Sequence, residues 1–156
     1  MTDKEILTYF APNEKATILF GKKLAHFAKK GDTFALFGTL GMGKSVLARS
    51  FIQELTSAPE VPSPTFTLVQ SYEYSDFEIY HFDLYRLKSP EEIFEIGVEE
   101  ALYDGVCLIE WPERMGGYLP RQAFRVEITP KNDGREIKIS HLDNQRIQKL
   151  KVLLDD

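Results

Sequence analysis

The amino-acid sequence predicts one α/β domain, built in three layers around a mixed parallel and antiparallel sheet. Helical and strand patterns follow one another in the order α, β, α, ββ, α, β, ββ, α, which is typical of layered α/β folds. Two pairs of consecutive strands are separated by short polar segments, so we expect antiparallel hairpins beside the parallel strands. The 156 residues contain no repeat and no long linker, so one domain over residues 1–156 is predicted.

The first third of the chain predicts a helix, a buried strand and a second helix. Residues 13–32 place apolar side chains at helical spacing, and Asn13 is the predicted N-cap. The run TFALFG is short and apolar, as expected of a buried strand. Residues 44–57 again carry apolar side chains on one side, which predicts the second helix. Residues 57–66 contain three prolines and are therefore predicted to form a loop.

The rest of the chain predicts two hairpins, one buried strand and two helices. Alternating apolar and polar residues indicate the hairpins, and the apolar run GVCLIEW indicates the buried strand, which Pro112 ends. Ser89, Pro90 and Glu92 have the spacing of a helix start with a capping box. The predicted ranges are strands 67–74 and 77–85, helix 90–102, strand 105–111, strands 123–129 and 135–141, and helix 142–154.

Composition and charge exclude several classes of protein. The net charge of -5 argues against nucleic-acid binding over a broad surface, which needs a dense cationic face. No stretch approaches 18 apolar residues and the N-terminus lacks a signal-peptide pattern, so we expect no membrane association. The single cysteine, Cys107, cannot form an internal disulfide, which favours a reducing, cytoplasmic location.

The segment GTLGMGKS matches the phosphate-loop pattern G-x-x-x-x-G-K-[ST] in full. Glycines let the backbone N–H groups converge on a phosphate, Lys44 supplies a positive charge, and the Ser45 hydroxyl is a ligand for Mg²⁺. The motif follows a predicted buried strand and opens a predicted helix, and this context argues against a chance match. A P-loop NTPase domain is therefore predicted. The candidate nucleotide-binding residues in the loop are Gly38, Thr39, Leu40, Gly41, Met42, Gly43, Lys44 and Ser45.

Two carboxylates at predicted strand ends are candidates to serve this loop. Asp83 ends the segment IYHFD and Glu110 ends VCLIE, and P-loop enzymes need an acid there to hold Mg²⁺ or its waters. Either one can bind the metal while the other orients a water, and the sequence leaves this choice open. Both are predicted catalytic residues. His81 is interpreted as a packed strand residue, because no second histidine or cysteine stands at ligand spacing.

Two further residues have two interpretations each. Thr65 lies in the proline-rich loop, where its hydroxyl either senses the γ-phosphate, as switch loops do, or belongs to a rigid connector. Trp111 either packs in the core or flanks the nucleotide with its indole ring. The chain lacks the N-K-x-D pattern typical of guanine-specific proteins, which favours ATP over GTP.

Five segments together resemble one known family. GTLGMGKS, VPSPTF, HFDLYRL, EEIFEIGVEEAL and CLIEWPER occur in the order and at the spacing of the TsaE (YjeE-like) family of bacterial ATPases, over about residues 14–140. The resemblance implies ATP and Mg²⁺ binding with slow hydrolysis. It also implies action with the TsaB–TsaD pair, in which TsaD transfers threonylcarbamoyl to adenosine 37 of tRNA. The chain would then reset that complex between turnovers and contact tRNA only indirectly.

The resemblance also assigns residues. It implies that Lys44 contacts phosphates, that Ser45 and Glu110 are at the metal site, and that Asp83 lies beside the γ-phosphate and metal waters. It places Thr65 in the switch-like loop and Trp111 next to the nucleotide. By the same resemblance, the segment near Asn13 and the NDGR turn with Arg135 flank the base.

The loop departs from the family pattern at three positions. Family members commonly have an acid, an alanine and a threonine where this chain has Thr39, Met42 and Ser45. Ser45 keeps a hydroxyl for the metal, and Met42 keeps the backbone N–H. Thr39 removes a charge beside the phosphates, so it is the residue most apt to distinguish this chain from its relatives.

Two alternative functions follow from the same motif. A small-molecule P-loop kinase needs a mobile, arginine-rich lid, but Arg86, Arg114 and Arg121 are scattered and no insertion of that length occurs. A nucleotide-gated adaptor would use ATP to control docking, with incidental hydrolysis. Product analysis separates the first from an ATPase, and a hydrolysis-deficient variant separates the second.

Overall fold

The protein is a layered α/β domain with a mixed sheet, as predicted from the sequence. The computed structural model describes residues 5–39 and 41–155. In chain order, these residues form strand β1 Glu5–Ala11, helix α1 Glu14–Phe27, β2 Thr33–Phe37, α2 Lys44–Thr56, β3 Val69–Glu73, β4 Glu78–Asp83, a first 3-10 helix Pro90–Ile96, α3 Val98–Asp104, β5 Gly105–Glu110, a second 3-10 helix Pro112–Tyr118, β6 Phe124–Lys131, β7 Gly134–His141 and α4 Asn144–Asp155. None of the helices in this part of the chain is long and apolar enough to cross a membrane.

The described residues form a sheet of seven strands in the order β1-β7-β6-β2-β5-β4-β3. Strands β4, β5, β2 and β6 are parallel neighbours, whereas β3, β7 and β1 run antiparallel to the strands they pair with. Both hairpins predicted from the sequence, β3–β4 and β6–β7, are confirmed. Because the central strands are parallel, the carboxyl ends of β2, β4 and β5 meet at one edge of the sheet, where ligands bind in open α/β sheets.

Two apolar clusters hold the three layers together. The larger cluster lies between one face of the sheet and helices α1, α2 and α4. The smaller cluster lies on the other face, against α3 and the two 3-10 helices. Strand β5 alternates between them, since Leu108 belongs to the first cluster while Cys107 and Ile109 belong to the second. A strand buried on both faces reads as a continuous apolar run, which is why GVCLIE was recognisable in the sequence.

The structure differs from the predicted elements at three places. One is the second 3-10 helix Pro112–Tyr118, which follows β5 where no element was predicted. Strand β1 was not predicted. It is an edge strand with Ile6 mostly exposed, and its place depends on antiparallel pairing with β7 from the far end of the chain. The predicted helix 90–102 is two shorter helices, because the backbone of Gly97 is left-handed (φ 78°) and ends one helix before the next begins.

Helices α1 and α2 pack closely at Gly21. A Cβ atom at this position would lie 2.1 Å from Ser50 Oγ and 2.7 Å from the carbonyl oxygen of Leu47. We therefore expect Gly21→Val to lower the free energy of unfolding by about 2–3 kcal/mol, because the helices must separate. Urea denaturation measures this. The matched control is Gly117→Val, at a position with open space around it, where the change is expected to stay within about 0.5 kcal/mol. Equal effects of the two substitutions would contradict the prediction.

Candidate functional site

A cavity of about 400 Å³ lies at the carboxyl ends of the parallel strands. Its lining comes from the loop between β2 and α2, from the ends of β4 and β5, from the start of α1 and from the β6–β7 turn. The structure brings most of the residues selected from the sequence together here. They are Asn13, Gly41, Met42, Gly43, Lys44, Ser45, Thr65, Asp83, Glu110, Trp111 and Arg135.

Two of the described residues of the predicted phosphate loop are not part of this lining. Gly38 and Thr39 are described but lie outside the residues that border the cavity. The Thr39 carbonyl accepts a hydrogen bond from the Met42 backbone N–H at 3.3 Å, within the loop itself. Leu40 lies outside the described residues. The assignment of these three as nucleotide ligands therefore stays a prediction.

The loop turns into helix α2 through two glycines with left-handed backbones. Gly41 has φ 81° and Gly43, the N-cap of α2, has φ 107°, a region that side chains with a Cβ rarely adopt. No side chain caps this helix start among the described residues. The N–H groups in the first turn of α2 therefore have no side-chain acceptor and can donate to a ligand. The positive end of the helix dipole also lies at the cavity. This is the local geometry of an anion-binding site.

Lys44 is the first residue of α2 and is buried beside the cavity. Its Nζ lies 3.8 Å from the centroid of the Trp111 ring and has no hydrogen-bond partner among the described residues. Burial lowers the pKa of Lys44, while the nearby carboxylates of Glu110, Glu113 and Asp83 act in the opposite direction. A buried ammonium without a hydrogen-bond partner among the described residues is an incomplete arrangement, because buried charges need a partner. An anion in the cavity would supply that partner.

Glu110 joins the phosphate loop to the sheet. Its Oε1 accepts a hydrogen bond from the Ser45 hydroxyl at 3.0 Å, and its Oε2 lies 2.6 Å from His81 Nε2. Burial alone raises the pKa of Glu110, but the hydrogen bonds from His81 and Ser45 and the charges of His81 and Lys44 outweigh it, so the pKa lies below its usual value. Glu110 is therefore an ionised carboxylate that is held next to the Ser45 hydroxyl.

Asp83 lies next to Glu110 on the neighbouring strand but has different partners. The two residues are opposite each other in the register of β4 and β5. Asp83 Oδ2 accepts a hydrogen bond from the Thr65 hydroxyl at 3.0 Å, and Oδ1 accepts one from the backbone N–H of Tyr85 at 3.1 Å. Thr65 is also 2.7 Å from the Ser63 hydroxyl. Asp83 thus connects the proline-rich loop to the sheet, while Glu110 connects α2 to it.

The remaining predicted residues border other parts of the cavity. Asn13 caps α1, since its Oδ1 accepts a hydrogen bond from the Ala16 backbone N–H at 3.0 Å. Arg135 donates to the carbonyl oxygen of Gly41 at 3.5 Å, so the β6–β7 turn reaches the phosphate loop. Trp111 has a left-handed backbone (φ 59°) and packs against the smaller apolar cluster, so it is both a packing residue and part of the lining.

His81 is a member of this site that sequence reasoning missed. Its description as a packed strand residue is correct, because it is fully buried, but it also contacts Glu110 directly. Its position two residues before Asp83 was a usable signal, because alternate residues of a strand point to the same face. Within the described residues, no group of three or more histidine, cysteine, aspartate or glutamate side chains forms a self-contained metal site.

Comparison with protein families and known proteins identifies relatives over most of the chain. Residues 11–138 match the family model described as threonylcarbamoyl adenosine biosynthesis protein TsaE. The tRNA threonylcarbamoyladenosine biosynthesis protein TsaE of Haemophilus influenzae is 40% identical over 141 residues, which cover 86% of this chain and 89% of the relative. The protein of the same name from Bacillus subtilis is 34% identical over 135 residues, which cover 85% and 84% of the two chains.

A solved structure confirms the fold. The crystal structure of Bacillus subtilis YdiB matches 99% of this chain and 97% of its own, with a TM-score of 0.77 and 28% sequence identity. The resemblance seen in the five motifs, the family model and the relatives all point to one assignment. The chain belongs to the TsaE family of tRNA threonylcarbamoyladenosine biosynthesis proteins.

Proposed function

We propose that this protein is a Mg²⁺-dependent ATPase that hydrolyses ATP slowly and supports the TsaB–TsaD complex in threonylcarbamoylation of adenosine 37 of tRNA. One observation carries the nucleotide part of the proposal. The Lys44 ammonium is buried at the start of α2, borders the cavity and has no hydrogen-bond partner among the described residues. Together with the free donors of the helix start, it supports binding of a polyphosphate.

The residues present fit Mg²⁺ as well as phosphate. Mg²⁺ is usually held by one or two protein oxygens, while waters and substrate phosphates complete its octahedron. The Ser45 hydroxyl and the ionised Glu110 carboxylate are adjacent and suit this role. When bound, Mg²⁺ neutralises the negative charge of the β- and γ-phosphates and that of the transition state. Lys44 and the backbone N–H groups of the loop act on the same charge.

The different partners of the two carboxylates suggest different roles. We assign Glu110 to the metal side, because it already holds the Ser45 hydroxyl. We assign Asp83 to the attacking water, because it faces the proline-rich loop through Thr65. An oxygen of its carboxyl group can accept a hydrogen bond from a water that attacks the γ-phosphorus, with ADP and phosphate as products.

We assign the base to the part of the cavity that Asn13 and Arg135 border. Arg135 also donates to the carbonyl oxygen of Gly41. We propose ATP as the nucleotide, since the pattern typical of guanine-specific proteins is missing from the sequence. Cys107 is a buried free thiol, which fits a reducing compartment, and we propose a cytoplasmic location.

Reconstitution tests the proposed function directly. Purified chain is combined with the TsaB–TsaD pair, tRNA, ATP, Mg²⁺ and the threonylcarbamoyl donor, and both free phosphate and modified tRNA are measured. We expect several rounds of modification per complex with the chain, and an early stop without it. Equal modification with and without the chain would contradict the proposed role. A phosphorylated small molecule in place of free phosphate would favour a kinase.

Nucleotide binding should change the fluorescence of Trp111. The sequence contains one tryptophan, and Lys44 Nζ lies 3.8 Å from its ring, so tryptophan emission reports the surroundings of Trp111, including this contact. A phosphate that pairs with the ammonium draws it away from the ring, because a charge-assisted hydrogen bond to an anion is stronger than a cation–π contact. We expect a saturable change in emission with ATP or ADP, and little change with adenosine. Saturable binding in calorimetry without any change in emission would contradict this prediction.

A further inference from the structure

We infer that His81 is a positioning residue, whose Nε2–H holds the Glu110 carboxylate so that its other oxygen faces Ser45 and the metal side of the cavity. This inference rests on the proposed function, since it concerns how the chain prepares the site for Mg²⁺. His81 does not border the cavity, so it acts through Glu110 and not on the ligand itself.

The strand register places His81 behind Glu110. Asp83 is opposite Glu110 in the parallel pairing of β4 and β5, and His81 precedes Asp83 by two residues on the same face of β4. His81 is 0% exposed and Glu110 is 3% exposed. Their contact is 2.6 Å long and lies away from solvent, so water does not compete for it.

The direction of this hydrogen bond is fixed by the chemistry of its partners. An ionised carboxylate has no hydrogen to donate. His81 Nε2 therefore carries the hydrogen and donates the hydrogen bond, which Glu110 Oε2 accepts. Glu110 Oε1 accepts from the Ser45 hydroxyl at 3.0 Å. The carboxylate is therefore held at both oxygens, by β4 on one side and by α2 on the other.

Without the His81 donor, only Ser45 would orient this group. The terminal torsion of a glutamate side chain has a broad range, so one hydrogen bond leaves the carboxylate free to rotate. The charge of the Lys44 ammonium acts on Glu110, so a carboxylate that is free to rotate would be attracted toward it. Such a rotation would replace the Ser45–Glu110 arrangement that suits a metal.

A role in packing alone does not explain this histidine. Its Nδ1 is buried and has no hydrogen-bond partner among the described residues, which makes an imidazole a poor choice for filling an apolar space. An aliphatic side chain of similar size would fill the same space without an unpaired nitrogen. The hydrogen bond to Glu110 is the contact that an aliphatic side chain cannot replace.

The test compares His81→Leu with His81→Gln, because glutamine can place an N–H donor at the reach of Nε2 and leucine cannot. Mn²⁺, as a stand-in for Mg²⁺, is titrated into the ADP-bound protein, and free Mn²⁺ is followed by electron paramagnetic resonance. We expect Mn²⁺ binding to weaken about tenfold to a hundredfold in His81→Leu, and His81→Gln to regain most of this loss. ADP affinity in EDTA is expected to stay within about twofold in both variants, since His81 does not border the cavity.

Two further variants separate positioning from folding. His141 is also buried and stacks on Phe124 with ring centroids 3.8 Å apart, but it does not border the cavity. His141→Leu is therefore expected to lower stability and leave Mn²⁺ affinity unchanged. If His81→Leu does not fold, His81→Asn takes its place, because the shorter amide keeps polarity but does not reach Glu110.

The outcomes are distinct. Unchanged Mn²⁺ affinity in a folded His81→Leu or His81→Asn protein would overturn the inference. If one of these variants binds Mn²⁺ weakly, a folded His81→Gln protein with equally weak binding would also overturn it. Failure of the unaltered protein to bind ADP in EDTA, or Mn²⁺ with ADP, would overturn the proposed function first and the inference with it. Loss in the leucine variant with recovery in the glutamine variant supports the inference.

Discussion

Lys44→Ala is expected to lower the rate of ATP hydrolysis by at least about a hundredfold. The substitution removes the buried positive charge that the phosphates and the transition state would meet, and catalytic groups of this kind have effects of that size. Phosphate release under saturating ATP and Mg²⁺ measures the rate, and titration of ADP in EDTA measures the accompanying loss of affinity. Hydrolysis at the rate of the unaltered protein would place the site elsewhere.

We expect the free energy of unfolding of the Lys44→Ala protein to be close to that of the unaltered protein. Burial lowers the pKa of Lys44, so the folded state disfavours this charge relative to the unfolded chain. Removing the ammonium therefore relieves a cost, which offsets the lost contact with Trp111 to within about 1 kcal/mol. Urea denaturation separates a catalytic loss from a folding defect. Lys22→Ala, at an exposed position on α1 outside the cavity, is the control and is expected to keep full activity.

Glu110→Gln is expected to lower hydrolysis by about a hundredfold or more, while ADP binding in EDTA changes only slightly. The carboxylate accepts one hydrogen bond from Ser45 and one from His81, but an amide offers one accepting oxygen and one donating nitrogen. Either the Ser45 hydroxyl or the His81 Nε2–H would then face the amide N–H₂ group, which is also a donor. The arrangement at the metal side of the cavity would be lost. Phosphate release and Mn²⁺ titration measure the two effects.

This variant also separates an ATPase from a nucleotide-gated adaptor. With TsaB, TsaD and tRNA, we expect the Glu110→Gln protein to stop after the first round of modification, because resetting would require hydrolysis. Repeated rounds at the normal rate with a hydrolysis-deficient protein would show that binding suffices, and would favour the adaptor. Glu99→Gln, on the exposed surface of α3 and outside the cavity, is the matched control and should behave as the unaltered protein.

The sequence predicted those parts of the fold that depend on local pattern. Strand β5 and the two hairpins have apolar runs or alternation that a short window detects. Strand β1 depends on pairing with β7, about 130 residues away along the chain, and an exposed edge strand has no strong pattern of its own. The break at Gly97 was hidden by the helical spacing on both of its sides.

The sequence predicted which residues form the site, but it did not predict which of them contact one another. The motif and the strand ends selected Lys44, Ser45, Asp83 and Glu110, because their chemistry and order along the chain are visible in the sequence. The choice between the two carboxylates depends on side-chain partners across strands and helices. Only the structure pairs Glu110 with Ser45 and Asp83 with Thr65. The contact of His81 with Glu110 depends on the same cross-strand register.

The hydrogen bond between Thr65 and Asp83 has a thermodynamic consequence for the proline-rich loop. The Thr65 hydroxyl has a single hydrogen, which it donates to the Asp83 carboxylate. A ligand atom that accepts this hydrogen must break the contact with Asp83, so binding of such a ligand and the position of the loop become linked equilibria. By reciprocity, a partner protein that holds the loop in one position changes the affinity for that ligand by the same factor.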